Sequence, residues 1–369
     1  MLKPFDEVFE DRTKYGTKIK TDDYHATGTH IIIDQGQEQI AGYTDLEEGL
    51  FTEVPAIIFG DHTRIIKYVD RPFFLGADGV KVLRCRYKDA NYKYLYYALK
   101  SVHIPNTGYN RHFKWLKEAT IFYPDRKTQA KIVETLEKAS VIIEKHQQQL
   151  SALDDLIKAR FVELFGDPVH NTIKLPTLPM TEACEIIDGD RGKNYPTQEE
   201  FFNEGYCLFL NAKNVTKQGF NFSECMYITK EKDTALRKGK LQRGDVVLTT
   251  RGTLGNLAFY SEEIPFENMR INSGMVILRM NRTIIDETFF IEQFRMQLED
   301  IKATIASGSA QPQLPISTMN KISLLMPELE EQQQFAAFVA QIDKSKSVIQ
   351  KSLDETQLLL DSLMQKYFG

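Results

Sequence analysis

Arginine, lysine, asparagine and glutamine recur in short polar stretches of this chain, next to glycine, proline or serine. Their side chains are forked or bidentate, the types that pair with base edges in the major groove of a duplex. Flanking Lys, Arg, Ser and Thr are the types that hold backbone phosphates. In the second half, "DRGKNYP" offers Arg191, Lys193, Asn194 and Tyr195, and "NAKNVTK" offers Asn211, Lys213 and Asn214. "TTRGTLGN" adds Thr250, Arg251 and Asn256, "RINSG" adds Arg270 and Asn272, and "SGSAQPQ" adds Ser307, Ser309, Gln311 and Gln313. In the first half, "YGTKIK" offers Lys18 and Lys20, and "GDHTRIIK" offers His62, Thr63 and Arg64. "TGYNRHFK" adds Tyr109, Asn110, Arg111 and Lys114. Any one of these stretches, taken alone, reads as a solvated turn. The signal is that both halves carry them at comparable places.

Other chemistries find little support. There is no P-loop, no G-x-S-x-G elbow and no H-E-x-x-H. "RGTLGN" follows an antiparallel-looking strand and opens no helix, so it reads as a hairpin turn rather than a nucleotide loop. The 7 histidines are scattered, so they suggest no metal cluster. Carboxylate runs such as "EEIPFEN" and "DLEEG" read as solvated loops. Cys85, Cys184, Cys207 and Cys225 form no C-x-x-C pair and have no zinc-ligand spacing with histidine. They are expected to be buried or free thiols in a reducing compartment. The chain starts without an apolar signal-type segment, and no apolar run approaches a membrane span. A soluble cytoplasmic protein is expected. With 46 basic and 51 acidic residues the net charge is −5. That counts against a coat binding nucleic acid through bulk charge, and not against a sequence reader with a local basic face.

What must position these loops is visible as a duplication. "YPDRKTQAKIVETLEKASVIIEKHQQQLSALDDLIKARFVELFG" ends at Gly166, and "MPELEEQQQFAAFVAQIDKSKSVIQKSLDETQLLLDSLMQKYFG" ends at Gly369. The two align without a gap at an offset of 203 positions, and a repeat of this length sets the architecture. In the first copy an apolar seam runs through Ile132, Leu136, Ala139, Ile143, Leu150, Leu153, Ile157, Phe161 and Leu164, broken at His146. In the second it runs from Phe335 to Tyr367, broken at Lys346 and Thr356. The steps of 3 and 4 make this a heptad seam with one late stutter. Each copy predicts a helix about 60 Å long. So long a helix cannot bury a narrow stripe alone, and the economical partner is its own copy. A spacer or an oligomerisation device is the plainer reading of the same helices.

The segments before the helices also resemble each other. "DGVKVLRC" matches "NSGMVILRM", placing Gly79 on Gly274, Leu83 on Leu278 and Arg84 on Arg279. Upstream, "IIFGDHTRIIKYV" is expected to match "LQRGDVVLTTRGTLGNLAFY", with Gly60-Asp61 on Gly244-Asp245. Each segment has short β-branched runs, one amphipathic helical stretch, a polar loop and a last apolar run. The fold class is therefore α+β. The boundaries are 1–123 and 167–326 for the two globular parts, and 124–166 and 327–369 for the two long helices.

The whole chain resembles the specificity subunit of type I restriction–modification systems. The resemblance rests on the unit/helix duplication and on the Pro-x-x-x-x-Gln opening of each helix, Pro124 to Gln129 and Pro327 to Gln332. It rests also on the "GD…T…G…G" strand-turn and on the "KNYP" and "NAKNV" loops. The first globular part departs from it, since "GDHTRIIKYV" lacks the second glycine cluster. The resemblance implies two target-recognition domains, each reading one half of a split double-stranded DNA site. The two long helices would form an antiparallel coiled coil between them, in a pseudo-two-fold tandem repeat. It implies a non-catalytic subunit without cofactors of its own. S-adenosylmethionine would belong to two modification subunits that methylate adenine, and ATP and Mg to restriction subunits that translocate and cleave. Two other readings stay open at this stage: a coiled-coil scaffold with no role on DNA, and a stand-alone nuclease or methyltransferase.

Overall fold

The computed structural model describes residues 1–76, 78–108, 110–306 and 313–369. Two compact units emerge: residues 1–148 with 349–369, and residues 149–348. Each takes one portion of both long helices.

The first unit runs β1 (Leu2–Pro4), α1 (Phe5–Val8), β2 (Phe9–Asp11), β3 (His30–Ile33), β4 (Gly42–Thr44), β5 (Ala56–Gly60), β6 (Ile66–Val69), β7 (Phe73–Leu75) and β8 (Val80–Cys85). It continues through α2 (Tyr92–Lys100), α3 (Phe113–Lys117) and β9 (Thr120–Phe122) into α4 (Arg126–Phe165). An antiparallel sheet is ordered β2-β8-β5-β6, and a mixed sheet β4-β3-β7 has β3 parallel to β7. The uninterrupted apolar run of β5 follows from its place between two layers. Ile57 and Phe59 face the helices with Phe5, Tyr94, Leu95 and Leu116. Ala56 and Ile58 face the mixed sheet with Ile31, Ile33 and Phe73.

The second unit repeats this order with longer connections: β10 (Thr177–Pro179), α5 (Met180–Ala183), β11 (Cys184–Asp188), β12 (Cys207–Leu210), β13 (Val215–Thr216), β14 (Gly219–Phe220), β15 (Tyr227–Ile228) and α6 (Lys230–Ala235). Then come β16 (Asp245–Thr249), β17 (Leu257–Phe259), β18 (Met269–Ile271), β19 (Met275–Met280), α7 (Glu287–Ala306), α8 (Ile316–Met319), β20 (Ser323–Leu325) and α9 (Leu329–Phe368). Its sheets are β11-β19-β16-β17 and β15-β12-β18, with β12 parallel to β18. The strand β16 alternates as β5 does: Val246 and Leu248 face the helices, and Val247 faces the other sheet.

Sheet register corrects one expected match. Leu83 lies opposite Ile57 and Leu278 lies opposite Val246, so Gly244-Asp245 begins its strand while Gly60-Asp61 ends its own. Asp61 donates its N–H to Gly79 O (2.7 Å), as Thr250 does to Gly274 O (2.9 Å), so Asp61 matches Thr250 and not Asp245. The shared Gly-Asp pair arises at two different places. At the start of β16 the Asp245 carboxylate accepts two bonds from Arg279 (2.9 and 2.8 Å), whereas Arg84 donates to the carbonyl of Pro55.

The helix pairs are antiparallel within each unit. In the first, Ile132 and Leu136 near the start of α4 share a core with Leu360, Met364 and Phe368 near the end of α9. In the second, Ile157, Phe161 and Phe165 at the end of α4 meet Phe335 and Val339 at the start of α9. Phe161 lies 5.4 Å from Phe335 and 5.3 Å from Phe289, centroid to centroid. The first seam ends on Phe165 and not on Leu164, which is 39% exposed. Gly166 closes α4 at φ 71°, a left-handed cap that glycine adopts freely.

The Pro-x-x-x-x-Gln openings are latches. Gln129 Nε2 donates to Pro124 O (2.9 Å), and Gln332 Nε2 to Pro327 O (2.9 Å). Gln332, fully buried, also donates to Ile284 O (3.1 Å) and accepts the N–H of Asp286 (2.9 Å), which ties α9 to the start of α7. Among the described residues, no helix is long and apolar enough to cross a membrane.

Candidate nucleic-acid interface

In each unit the candidate loops gather where β5 or β16 ends and its antiparallel partner begins. In the first unit the centre is Gln35, which follows β3. Its Oε1 accepts the N–H of His62 (3.1 Å), its Nε2 donates to Asp78 O (3.0 Å), and its carbonyl accepts the Thr63 hydroxyl (2.6 Å). Gly60 and Gly79 leave it room, since a Cβ at either would press on Gln35. Lys18 joins through Asp78 (2.6 Å). That contact holds the Asp78 carboxyl below its ordinary range, and Arg111 adds to the effect. The structure thus brings Lys18, His62, Thr63 and Arg111 into one neighbourhood. Arg64 sits beside them at φ 64°, its guanidinium donating to Ile104 O (3.3 Å).

The loop after Thr107 is clasped to this hairpin. His112 is fully buried. Its N–H donates to Asp61 O (2.8 Å), its Nδ1 lies 3.0 Å from the same oxygen, and Phe113 N–H donates to Asp61 Oδ1 (2.7 Å). Asn110 is exposed, with its amide on Thr107 O. Lys20, Arg111 and Lys114 are exposed and make no ion pair among the described residues. Tyr109 lies outside the described residues.

The second unit builds the same end differently. Thr250 O accepts the N–H of Leu314 (3.1 Å), and Arg251 bridges Gln313 through the backbone, so the segment before α8 lies on the hairpin as its counterpart does. Gln311, Ser307 and Ser309 lie outside the described residues. Arg191 reaches Ser273 O (3.2 Å) and Asp188 (3.1 Å), and Asn272 Oδ1 accepts the N–H of Gly274 (2.9 Å). Arg191, Arg251, Asn272 and Gln313 therefore share one end of the unit. Lys193 is exposed on the neighbouring loop. That loop is braced by Asp190, whose carboxyl accepts the N–H groups of Gly192 and Arg237 (2.7 Å each); these hold it below its ordinary range. Asn194 donates to Ala235 O (3.0 Å), and Tyr195 packs edge-on against Phe209. Asn256 donates to Val215 O (2.9 Å). Lys213 is exposed and pairs with Glu224 (2.7 Å).

Two candidates belong to the interior. Arg270 is 6% exposed. It bonds Asp233 (2.5 Å) and the carbonyls of Lys238 (2.7 Å), Asp233 (2.7 Å) and Leu236 (3.2 Å). Asn214 is 1% exposed, accepts from Asn211 N–H (3.0 Å) and donates to Asn221 O (3.0 Å) and Glu224 O (2.8 Å). Their polar groups are spent on holding loops, and neither side chain is exposed. Side-chain type and loop position could not separate them from exposed neighbours. Gln35 and Asp78 carry no such signal in sequence; only Gly60 and Gly79, packed against Gln35, hint at a side chain needing space. Among the described residues no group of His, Cys, Asp and Glu could hold a metal.

Residues 178–356 match the family model for the type I restriction modification DNA specificity domain. The chain is 22% identical to the specificity subunit of the EcoR124I/EcoR124II type I restriction enzyme of Escherichia coli, over 95% of this chain and 88% of that protein. It shares its fold with a type I restriction–modification S subunit from M. genitalium, at TM-score 0.52 and 19% identity, covering 100% of this chain and 96% of the other. A chain from a structural study of type I assembly and conformational transition gives TM-score 0.51 and 16% identity, covering 100% and 97%. With two such units and two antiparallel helix pairs, the chain has the fold of the type I restriction–modification specificity subunits and resembles them along its length, and its residues 178–356 match that family's DNA specificity domain.

Proposed function

We propose that each unit reads one half of a bipartite DNA site. The long helices fix the separation of the halves, and the chain directs adenine methylation and cleavage that its partner subunits perform. The observation that carries this is the repeated framework with different ends. The same strands present Lys18, His62, Thr63 and Arg111 in one unit, and Arg191, Arg251, Asn272 and Gln313 in the other. Different donors at equivalent places suit two different half-sites, with each bidentate contact adding about 1–3 kcal/mol of discrimination. Lys20, Lys114, Asn110, Lys193 and Lys213 supply charge and hydrogen bonds around them. On this reading the subunit is non-catalytic and works in the cytoplasm. Its partners are two modification subunits carrying S-adenosylmethionine, and restriction subunits using ATP and Mg.

The test is to exchange residues 1–123 for the equivalent part of a related subunit, assemble the chimera with modification subunits, and sequence the methylated sites. One half of the motif should change and the other persist. A change in both halves would count against independent reading.

A further inference from the structure

The hairpin tips of the two units differ in length but close alike. In the first, Gly60 N–H donates to Ile65 O (2.8 Å) and Arg64 N–H to Gly60 O (2.7 Å). In the second, Thr249 N–H donates to Asn256 O (3.0 Å) and Gly255 N–H to Thr249 O (2.8 Å). Arg64 and Gly255 therefore occupy the same place, and both are left-handed, at φ 64° and 82°. Glycine is at ease there; a residue with a Cβ is strained.

Glycine provides room in the second unit. A Cβ on Gly255 would collide with Cε of Lys302 on α7, whose ammonium lies 3.5 Å from Gly255 O. In the first unit the cation comes from the tip itself: Arg64 reaches the other way, to Ile104 O beyond α2. Each unit thus sets one positive charge at the junction of hairpin tip and helix, supplied from opposite sides. Neither charge forms an ion pair among the described residues. Beside Arg64 a groove of about 510 Å³ opens, lined by Lys100 and His103 and by apolar Ile66, Leu99 and Ile104. Near Lys302 stands Lys217; burial and then this like charge press the Lys302 ammonium below its ordinary range. The nearby acid, Glu299, is engaged by Lys158 (2.9 Å).

We propose that Arg64 and Lys302, from different elements, play the same part, each seating a DNA backbone phosphate at the edge of the half-site its unit reads. The assignment rests on the DNA-recognition reading above. It is to phosphate rather than to a base because each cation stands at the side of the tip among further positive charge, Lys100 by Arg64 and Lys217 by Lys302, which suits the uniform charge of a backbone. A guanidinium and an ammonium both serve a phosphate through their charge, so the two units can supply it from different residues.

The test uses the full chain assembled with modification subunits on its cognate duplex. Arg64→Gly, Lys302→Ala and the double variant are titrated against salt, with Arg64→Lys as the charge-preserving control. Each single loss should weaken binding about fivefold at physiological salt and lower the salt slope by about 0.9; the double should weaken it about 25-fold and lower the slope by about 1.8. The methylated motif should stay the same, and Arg64→Lys should keep the wild-type slope. Arg64→Gly relieves the strained conformation, so its melting temperature should not fall and the affinity loss cannot be unfolding. An unchanged slope in both single variants overturns the assignment. So does a changed motif, which would mean base reading. A wild-type complex with no preference for the cognate duplex would remove the DNA reading itself, and the phosphate seats with it.

Discussion

Arg270→Met separates a structural arginine from a reading one. The side chain is 7% exposed and its Asp233 partner 10%. Methionine keeps most of the volume and removes the charge, the ion pair and three bonds to backbone carbonyls. Breaking a buried pair costs about 3–5 kcal/mol. Lys240 remains 2.7 Å from Asp233, so the carboxylate is not orphaned, and the low end, about 3 kcal/mol, applies. For a unit of this size that lowers its melting temperature by about 6–12 °C. Hydrogen exchange should localise the loss to Leu208–Leu210 and Met269–Ile271, where β12 pairs with β18. The acid side gives a second check. Burial works against the charged Asp233, but the bonds from Lys240 and Arg270 prevail and hold its carboxyl below the ordinary range. The network's contribution is therefore whole above the usual aspartate pKa of about 3.9. It is lost as pH falls from there through the lowered value. The methionine variant should show a shallower acid loss than wild type. Wild-type melting and exchange, together with an altered methylation motif, would refute the structural role.

Phe161→Ala removes a fully buried ring from a cluster with Phe165, Phe289 and Phe335. It should cost about 3–5 kcal/mol, read by calorimetry and by exchange confined to the second unit. Asp61→Ala leaves the buried N–H of Phe113 without its acceptor, a loss of about 1–3 kcal/mol. It should expose the loop after Thr107 to protease and weaken binding to duplexes altered outside the first half-site. Inserting four residues at Gln147–Gln149 and at the matching Gln350–Ser352 lengthens each helix by about 6 Å with its facing nearly kept. The methylated motif should gain about two spacer base pairs, at 3.4 Å each, with both half-sites intact. An active enzyme with an unchanged spacer would show that the helices do not set it.

The helices were the most legible part because their signal is long and repeated. Seven of ten paired seam positions are apolar in both copies, and an offset of 203 without a gap leaves no freedom of register. The sheets were legible as runs but not as matches. A two-residue Gly-Asp pair is too short to fix a match, because strand registry is set by cross-strand partners distant in sequence. Leu83 and Leu278, in a longer matching string, do share a place, and the strands opposite them put Asp61 on Thr250. The loops were least legible. Arg251 and Arg270 look alike in sequence. One is exposed and the other is inside, because Asp233, far away on α6, supplies the buried carboxylate.

The two copies inside one chain show which features the framework requires and which it leaves free. Gln129 and Gln332 make the same bond to the proline five residues before them, and Leu83 and Leu278 fill the same place under the helices. Those positions are interior, and a change there would be felt through the core. The hairpin tips answer to a weaker demand. Each is closed by two backbone bonds, between Gly60 and Ile65 or Thr249 and Asn256 at its base and from a left-handed residue at its end. Backbone bonds constrain the conformation of the tip and not the identity of its exposed side chains. A tip can therefore change length and chemistry while the sheet behind it stays as it is. In the first unit the clasp of His112 on Asp61, and in the second the bond of Leu314 on Thr250, carry the neighbouring loop along with that tip. New readers can thus arise at a strand end without repacking the core, which is what a protein whose two units share one frame and differ in their ends requires.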